Sequence, residues 1–412
     1  MRLNELLQKS SHKFNLDIGY FVKNTIISNI SYVFTILVGL FINIILARTL
    51  SQTDFGYYKQ FFLIMSLLSM FMLSGISYNL VIALINKKYG AFFTAFKAKI
   101  VSFFFAIITL LGYGFYMYNN NHYFYIIIIF TGTIYLLNDI FLIYKNIFIA
   151  NKNFIKLSKI DSLLEAIKLI AITAVFLFSK DYGNFLIATI VPVVFINIYF
   201  FIKKLKYIRK QEQTKDKEFL LSTFKASFFD GGLNIIGQMD RIITLALYDP
   251  AIFAIYSVSN SIADAFKAIF KNFLTVAFPK IVENNDLEIK KRLNKVFFKM
   301  LYCLVLIALI IVPFIPYIIT LCFSERYIDS IIPAQILLIS ASVGIMFMFI
   351  NNFYFATRKY KLLYIDNAVF FVIKIILIFL LARFGLIGLA SAVAISRIVS
   401  TFFSYFLFNL KS

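Results

Sequence analysis

The sequence predicts an all-α integral membrane protein with about twelve transmembrane helices in two six-helix bundles around a central cavity. Three observations carry that prediction. Hydrophobic residues make up 61% of the chain and charged ones only 15%, against roughly 45–50% and 25% in soluble domains. Apolar stretches of bilayer length, roughly 20 residues each, recur along all 412 residues. Lys and Arg gather in alternate loops.

The stretches fall at 21–46, 57–85, 92–118, 123–148, 155–179 and 184–203, then at 219–248, 250–279, 293–322, 331–356, 362–383 and 386–410. Between the two sets lies a basic segment, KKLKYIRKQEQTKDKE. The expected domains are therefore an N-terminal bundle (1–202), a linker (203–218) and a C-terminal bundle (219–412). Pro192, Pro313 and Pro316 fall inside expected spans, where a missing backbone donor favours a kink.

The alternation of charge sets the topology. One side receives Lys87, Lys88, Lys97 and Lys99, then Lys145, Lys152, Lys156 and Lys159, the linker, and Arg358, Lys359 and Lys361. The other receives only Arg48, Lys59, Lys180, Arg326 and Arg383. Cytoplasmic loops collect Lys and Arg, so both termini and the linker are expected in the cytoplasm of a multi-pass cell-membrane protein. The same rule accounts for the net charge of +21, and no nucleic-acid partner is expected. The first span reads as an uncleaved anchor, because no short apolar core precedes a small-residue cleavage site. Cys303 and Cys322 lie about 30 Å apart on one expected helix, which predicts free thiols.

Two stretches are long enough to span yet are not cleanly apolar. In 219–248, Asp230, Asn234, Gln238 and Arg241 recur at steps of four, four and three. In 250–279, Ser257, Ser261, Asp264, Lys271 and Thr275 do the same, with Asn260 and Lys267 alongside. Such steps place residues on one helix face. A charge at mid-bilayer costs about 2.5–3.5 kcal/mol on insertion scales. The stripes are therefore expected to line a polar path.

Other charges lie inside the spans. Asp161, Glu165 and Lys168 share a face, and Glu165 and Lys168 can neutralise each other. Asp139 stands either in the path or near the cytoplasmic surface beside Lys145. Lys374 stands among Phe, Ile and Leu with no partner nearby in sequence. Arg397 aligns with Ala390, Ala394, Thr401 and Ser404, a face that also suits helix packing. Arg48 and Lys59 belong at the outer mouth or are ordinary interfacial residues. Lys267 and Lys271 either hold an anion or snorkel to the inner interface.

A weak internal repeat relates LARTLSQTDFGYY (46–58) to LALYDPAIFAIY (245–256). These turns, with FKASFFDGGLNIIGQMDRIITLAL (224–247), IYSVSNSI (255–262) and FGLIGLASAVAIS (384–396), make the chain resemble a known family. It is the polysaccharide-export branch of the multidrug/oligosaccharidyl-lipid/polysaccharide (MOP) flippase superfamily. The likeness is greatest to O-antigen and capsule repeat-unit flippases. The resemblance implies two bundles in a V and translocation of an undecaprenyl-pyrophosphate-linked oligosaccharide to the outer leaflet, as in lipopolysaccharide biosynthesis at a cell inner membrane. The family pattern is matched by Arg48 and by Asp240-Arg241; Leu247 stands where the second lobe would repeat Arg48.

The residues expected to bind substrate are Arg48, Arg241, Lys267, Lys271, Lys374, Arg397, Asn234, Gln238 and Asn260. Those expected to couple an ion are Asp139, Glu165, Asp230 and Asp264. No metal-ligand spacing, Gly-rich phosphate loop or nucleophile motif is present, so no cofactor and no enzymatic activity are expected. The drive would come from H+, Na+, the membrane potential or the substrate gradient. Membrane lipids and polysaccharide polymerase or chain-length proteins are the expected partners. A multidrug or small-molecule antiporter of the same superfamily is the alternative. A membrane polymerase or ligase fits less well, because the outer loops are short.

Overall fold

The computed structural model describes residues 18–212, 214, 216, 218–283, 286–356 and 359–411, with side chains left undescribed at 18–32, 229, 271–296, 355, 356, 360 and 411. All regular elements among them are helical. The first half holds α1 (Ile18–Thr49), α2 (Gln52–Leu68), α3 (Ile76–Ile85), α4 (Gly90–Tyr118), α5 (His122–Phe141), α6 (Lys145–Ala150), α7 (Phe154–Phe178) and α8 (Tyr182–Arg209). The second half holds α9 (Phe219–Leu247), α10 (Pro250–Glu283), α11 (Asp286–Ile311), α12 (Ile315–Ile318), α13 (Ile331–Ala356), α14 (Tyr360–Leu381) and α15 (Gly385–Lys411).

A helical segment stands at each expected span. Among the described residues, six stretches are both long and apolar enough to cross a bilayer: Gly90–Tyr118, His122–Ala150, Tyr182–Arg209, Phe297–Phe323, Glu325–Tyr354 and Lys361–Leu410. The last contains two helices, α14 and α15. Helices α7, α9 and α10 have the length, at 25, 29 and 34 residues, but carry the intramembrane charges. Bulky apolar side chains stay uncovered on the outside, including Phe115, Phe178, Phe228 and Phe379. Such a surface needs lipid around it, and the chain is a multi-pass membrane protein.

Three expected helices are interrupted. In 123–148 a 3-10 turn over Leu142–Tyr144 separates α5 from α6. The 57–85 stretch bends by 49° between Gln52–Met72 and Ile76–Ile85. Leu73 takes a left-handed φ of 52° there. Gly75 then comes so close to Ser227 that a Cβ would lie 2.6 Å from its backbone nitrogen, and its own N–H donates to Ser227 Oγ at 3.0 Å. The 293–322 helix ends as an α-helix at Ile311. A 3-10 turn over Val312–Phe314, the single turn α12 and a π-helical turn over Ile319–Phe323 follow. Pro313 and Pro316 remove the donors that would have continued it. Pro192 breaks nothing: α8 runs unbroken through it.

The chain separates into two compact units. One comprises the chain up to Gly39, Leu68–Phe178 and Phe185–Asp230; the other comprises Leu40–Leu67, Ser179–Asn184 and Gly231–Ser412. The first unit is built on an aromatic core. Phe201 from α8 takes the rings of Phe92, Phe96 and Phe141 at 6.1, 5.2 and 5.3 Å, and Tyr144 stacks on Phe200 at 5.8 Å. The second is closed by small residues. Ala341, Ser342, Ala390, Val393 and Ser400 are buried where α13 and α15 meet, so the small-residue face of α15 is a packing face. Cys303 and Cys322 are both free.

Candidate substrate site

The polar stripe of α9 is used within the second unit. Asn234 donates to the Ser66 carbonyl at 2.7 Å, and Gln238 donates to Asn234 Oδ1 at 2.8 Å and to Ser66 Oγ. One turn on, Arg241 pairs with Asp264 of α10. Lys267, three residues after Asp264, donates to its other oxygen at 2.8 Å. Arg241, Asp264 and Lys267 are 28%, 44% and 20% exposed at the side chain. They form a partly exposed triad rather than a sealed pair.

Asp240 turns the other way on α9 and is sealed. Its Oδ1 accepts from Lys374 of α14 at 2.8 Å and its Oδ2 from the Tyr256 hydroxyl at 2.9 Å. Lys374 spends its remaining donors on the carbonyls of Ile236 and Gly237, at 2.8 and 3.1 Å. At 1% and 4% exposure, both ions are fully partnered. Lys374 thus has no proton left over here: an ammonium has three, and all three are taken by protein. Asn260, also in the expected binding set, is buried and donates to the carbonyl of Tyr256 at 3.0 Å.

Arg397 approaches this group from α15. Its stem lies against Gly344 of α13, where a Cβ would sit 3.2 Å from Arg397 Cδ. No described residue accepts a hydrogen bond from its guanidinium, yet it stands within electrostatic reach of Asp240, Asp264, Arg241 and Lys267. Lys59 of α2, weighed from the sequence as an interfacial residue, joins the same field. It donates to Asn43 at 2.6 Å, lies over the Phe55 ring, and is within reach of Arg241 and Asp264. Its one signal in the sequence was a lone cation inside an apolar run. Arg48 instead ties down backbone, donating to the carbonyls of Cys322, at 2.8 Å, and Leu321 at the π-helical turn.

The expected coupling carboxylates are mostly neutralised. In the first unit Asp139 pairs with Lys99, and Glu165 with Lys168 at 2.7 Å. Lys145 pairs with Asp161 at 2.6 Å. Asp264 belongs to the triad above. Asp230 is half-buried and forms no ion pair among the described residues. Lys271 lies outside the residues whose side chains are described.

The all-helical fold has solved counterparts. The fold matches a Vibrio cholerae MATE transporter, VcmN, in its bent form, at a TM-score of 0.68 and 14% identity over 95% of this chain and 97% of that one. It matches a MOP-superfamily transporter from Pyrococcus furiosus at 0.72 and 10% identity, over 94% and 95%. A multidrug resistance MATE transporter in an inward-facing conformation matches at 0.68 and 12% identity, over 94% of each chain. The chain itself belongs to the polysaccharide biosynthesis protein family, whose model it matches over residues 21–285. No curated protein matches it in sequence.

Proposed function

We propose that this protein is a flippase. It moves an undecaprenyl-pyrophosphate-linked oligosaccharide, an O-antigen or capsule repeat unit, from the cytoplasmic to the outer leaflet of the inner membrane by alternating access. Both termini and the 203–218 linker face the cytoplasm, and two six-helix bundles rock about the substrate. The observation that carries this reading is the charge of the cluster. Lys59, Arg241, Lys267 and Arg397 stand against Asp264 as their partly exposed counter-ion.

A surplus of cations held in lipid is costly, and a pyrophosphate offsets it. Arg397 supplies a planar fork suited to phosphate oxygens, and Lys267 a movable point charge. Asn234, Gln238 and Ser66 lie beside the cluster as donors and acceptors for sugar hydroxyls. The lipid tail stays in the bilayer. Polymerase and chain-length proteins would take the product onward.

The second reading, a small-molecule antiporter, is favoured by the MATE likeness of the fold. For the Pyrococcus furiosus transporter, reverse polarity of the binding pocket is said to suggest a different function. In this chain the surplus of positive charge disfavours a cationic drug. The two readings are separated in vesicles holding the purified protein. Inward-to-outward movement of a fluorescent lipid-linked oligosaccharide, with no proton- or sodium-driven uptake of a cationic dye, supports the flippase. Dye transport without oligosaccharide movement rejects it.

A further inference from the structure

Besides the half-buried Asp230, one more carboxylate in the expected spans has no counter-ion among the described residues, and it was not among the expected coupling residues. Asp366, in the second turn of α14, is completely buried. No Lys, Arg or His among the described residues pairs with it, unlike Asp139, Asp161, Glu165, Asp240 and Asp264. Its partner is Ser404 of α15, whose Oγ lies 2.5 Å from each carboxyl oxygen.

That contact has a chemical consequence. A serine hydroxyl carries one hydrogen, so the two carboxyl oxygens share a single neutral donor. That is too little for a buried anion, since an ionised carboxylate without a charged partner is strongly disfavoured in an apolar interior. Among the described residues, the elements packed around it offer no charge. From α13 comes Tyr354, whose hydroxyl donates to the Ser404 carbonyl at 3.5 Å. From α15 comes Ser404, and Tyr405 beside it stacks instead on Phe297 at 4.2 Å. On α14 itself, Asn367 bonds back to the Leu363 carbonyl at 2.8 Å, and Lys361 is exposed.

The described surroundings are polar without being charged. One turn along α15, Ser400 Oγ is buried without a partner among the described residues, and so is Asn351 Oδ1, one turn before Tyr354 on α13. The α15 face continues from Ser404 through Thr401 and Ser400 to Arg397, about 10 Å along the helix. Charge appearing at Asp366 would therefore be felt by the unbonded guanidinium of the cationic cluster.

We propose that Asp366 is a proton-binding site, loaded in this conformation and emptied to water as its carboxylate when α13, α14 and α15 part. The ligand is a proton rather than a sodium ion. A metal ion would need the carboxyl oxygens turned towards it, and both are held by one hydroxyl. The proposal does not depend on the cargo.

The test is infrared difference spectroscopy of the full chain in vesicles, titrated from about pH 5 to about pH 9 in sodium-free buffer. A carboxylic-acid carbonyl band is expected that is absent from Asp366→Asn and disappears on deprotonation. Ser404→Ala should keep the band but shift it, because its hydrogen-bond partner is gone. This second variant keeps the test open should Asp366→Asn insert poorly. The proposal is overturned if wild type and Asp366→Asn give superimposable spectra at every pH, or if Ser404→Ala leaves the band in place. Loss of the band on adding sodium at constant pH would replace the proton with sodium and equally overturn it.

Discussion

The two units treat intramembrane charge in opposite ways. In the first, the partly buried cations Lys99, Lys145 and Lys168 each meet a carboxylate, Asp139, Asp161 and Glu165, and Asp230 remains over. In the second, one pair is sealed, Lys374–Asp240, while Lys59, Arg241, Lys267 and Arg397 share Asp264. Pairing within a unit cancels the cost of burying charge and leaves nothing for a ligand. An unbalanced cluster does the reverse, and its cost is met only when something anionic arrives. The same residue types thus serve structure in one unit and recognition in the other.

The sharpest way to break this contrast is at the sealed pair. Lys374→Ala leaves Asp240 ionised in a dry site, which costs about 3–5 kcal/mol. A large fall in the thermal midpoint in detergent is expected, with loss of inserted protein. Lys374→Met with Asp240→Leu should restore most of it, because an apolar pair of similar size needs no counter-charge. If the double variant regained folding but lost transport, Lys374 would belong to the cluster and not to the scaffold.

Each unit also has a glycine at a close backbone approach. A Cβ on Gly56 would lie 1.9 Å from the Pro250 carbonyl oxygen, and one on Gly75 2.6 Å from the Ser227 nitrogen. Neither obstacle is a movable side-chain tip, so Ala at either site should cost about 1–3 kcal/mol. Gly56→Ala is expected to show the larger loss of thermal stability. Equal, near-zero shifts would mean that these helices slide apart freely.

Arg397→Ala separates binding from folding. Its guanidinium has no described hydrogen-bond acceptor to leave orphaned, so the thermal midpoint should stay nearly unchanged. Oligosaccharide movement should fall about tenfold or more, equivalent to about 1.4 kcal/mol. Arg397→Lys should recover part of it, since the charge survives but the fork does not. A thermal loss matching that of Lys374→Ala would place Arg397 in the scaffold.

Periodicity made the stripes on α9 and α10 legible, because Asn234, Gln238 and Arg241 needed only the helical repeat to fall on one face. The Glu165–Lys168 pair was legible for the same reason. What required the fold was distance in sequence. Lys374 finds Asp240 134 residues away, and no local pattern announces it. Lys59 joins the cluster through the packing of α2 against α9, where Ser66 meets Asn234. The break at Gly75 depends on Ser227 standing opposite, whereas the break after Ile311 was written in Pro313 and Pro316. Asp366 was passed over because a single acid in an apolar helix says nothing until its neighbours are known to carry no charge.

The smallest effect is expected where the contrast is weakest. Lys145 and Asp161 form a pair with side chains 27% and 38% exposed. In such a setting the Coulomb gain is screened and partly cancelled by the entropy of holding a long side chain. Removing both, as Lys145→Ala with Asp161→Ala, should shift stability by less than about 1 kcal/mol and leave transport alone. Lys99 with Asp139, at 5% and 31% exposure, should be less forgiving, because the buried ammonium depends more on its partner. A double-mutant cycle on each pair, read by thermal unfolding, ranks them. If the Lys145–Asp161 coupling proved as large as that of Lys99–Asp139, exposure would not be what decides the worth of these pairs, and the first unit would be held together by its charges rather than by the aromatic core around Phe201.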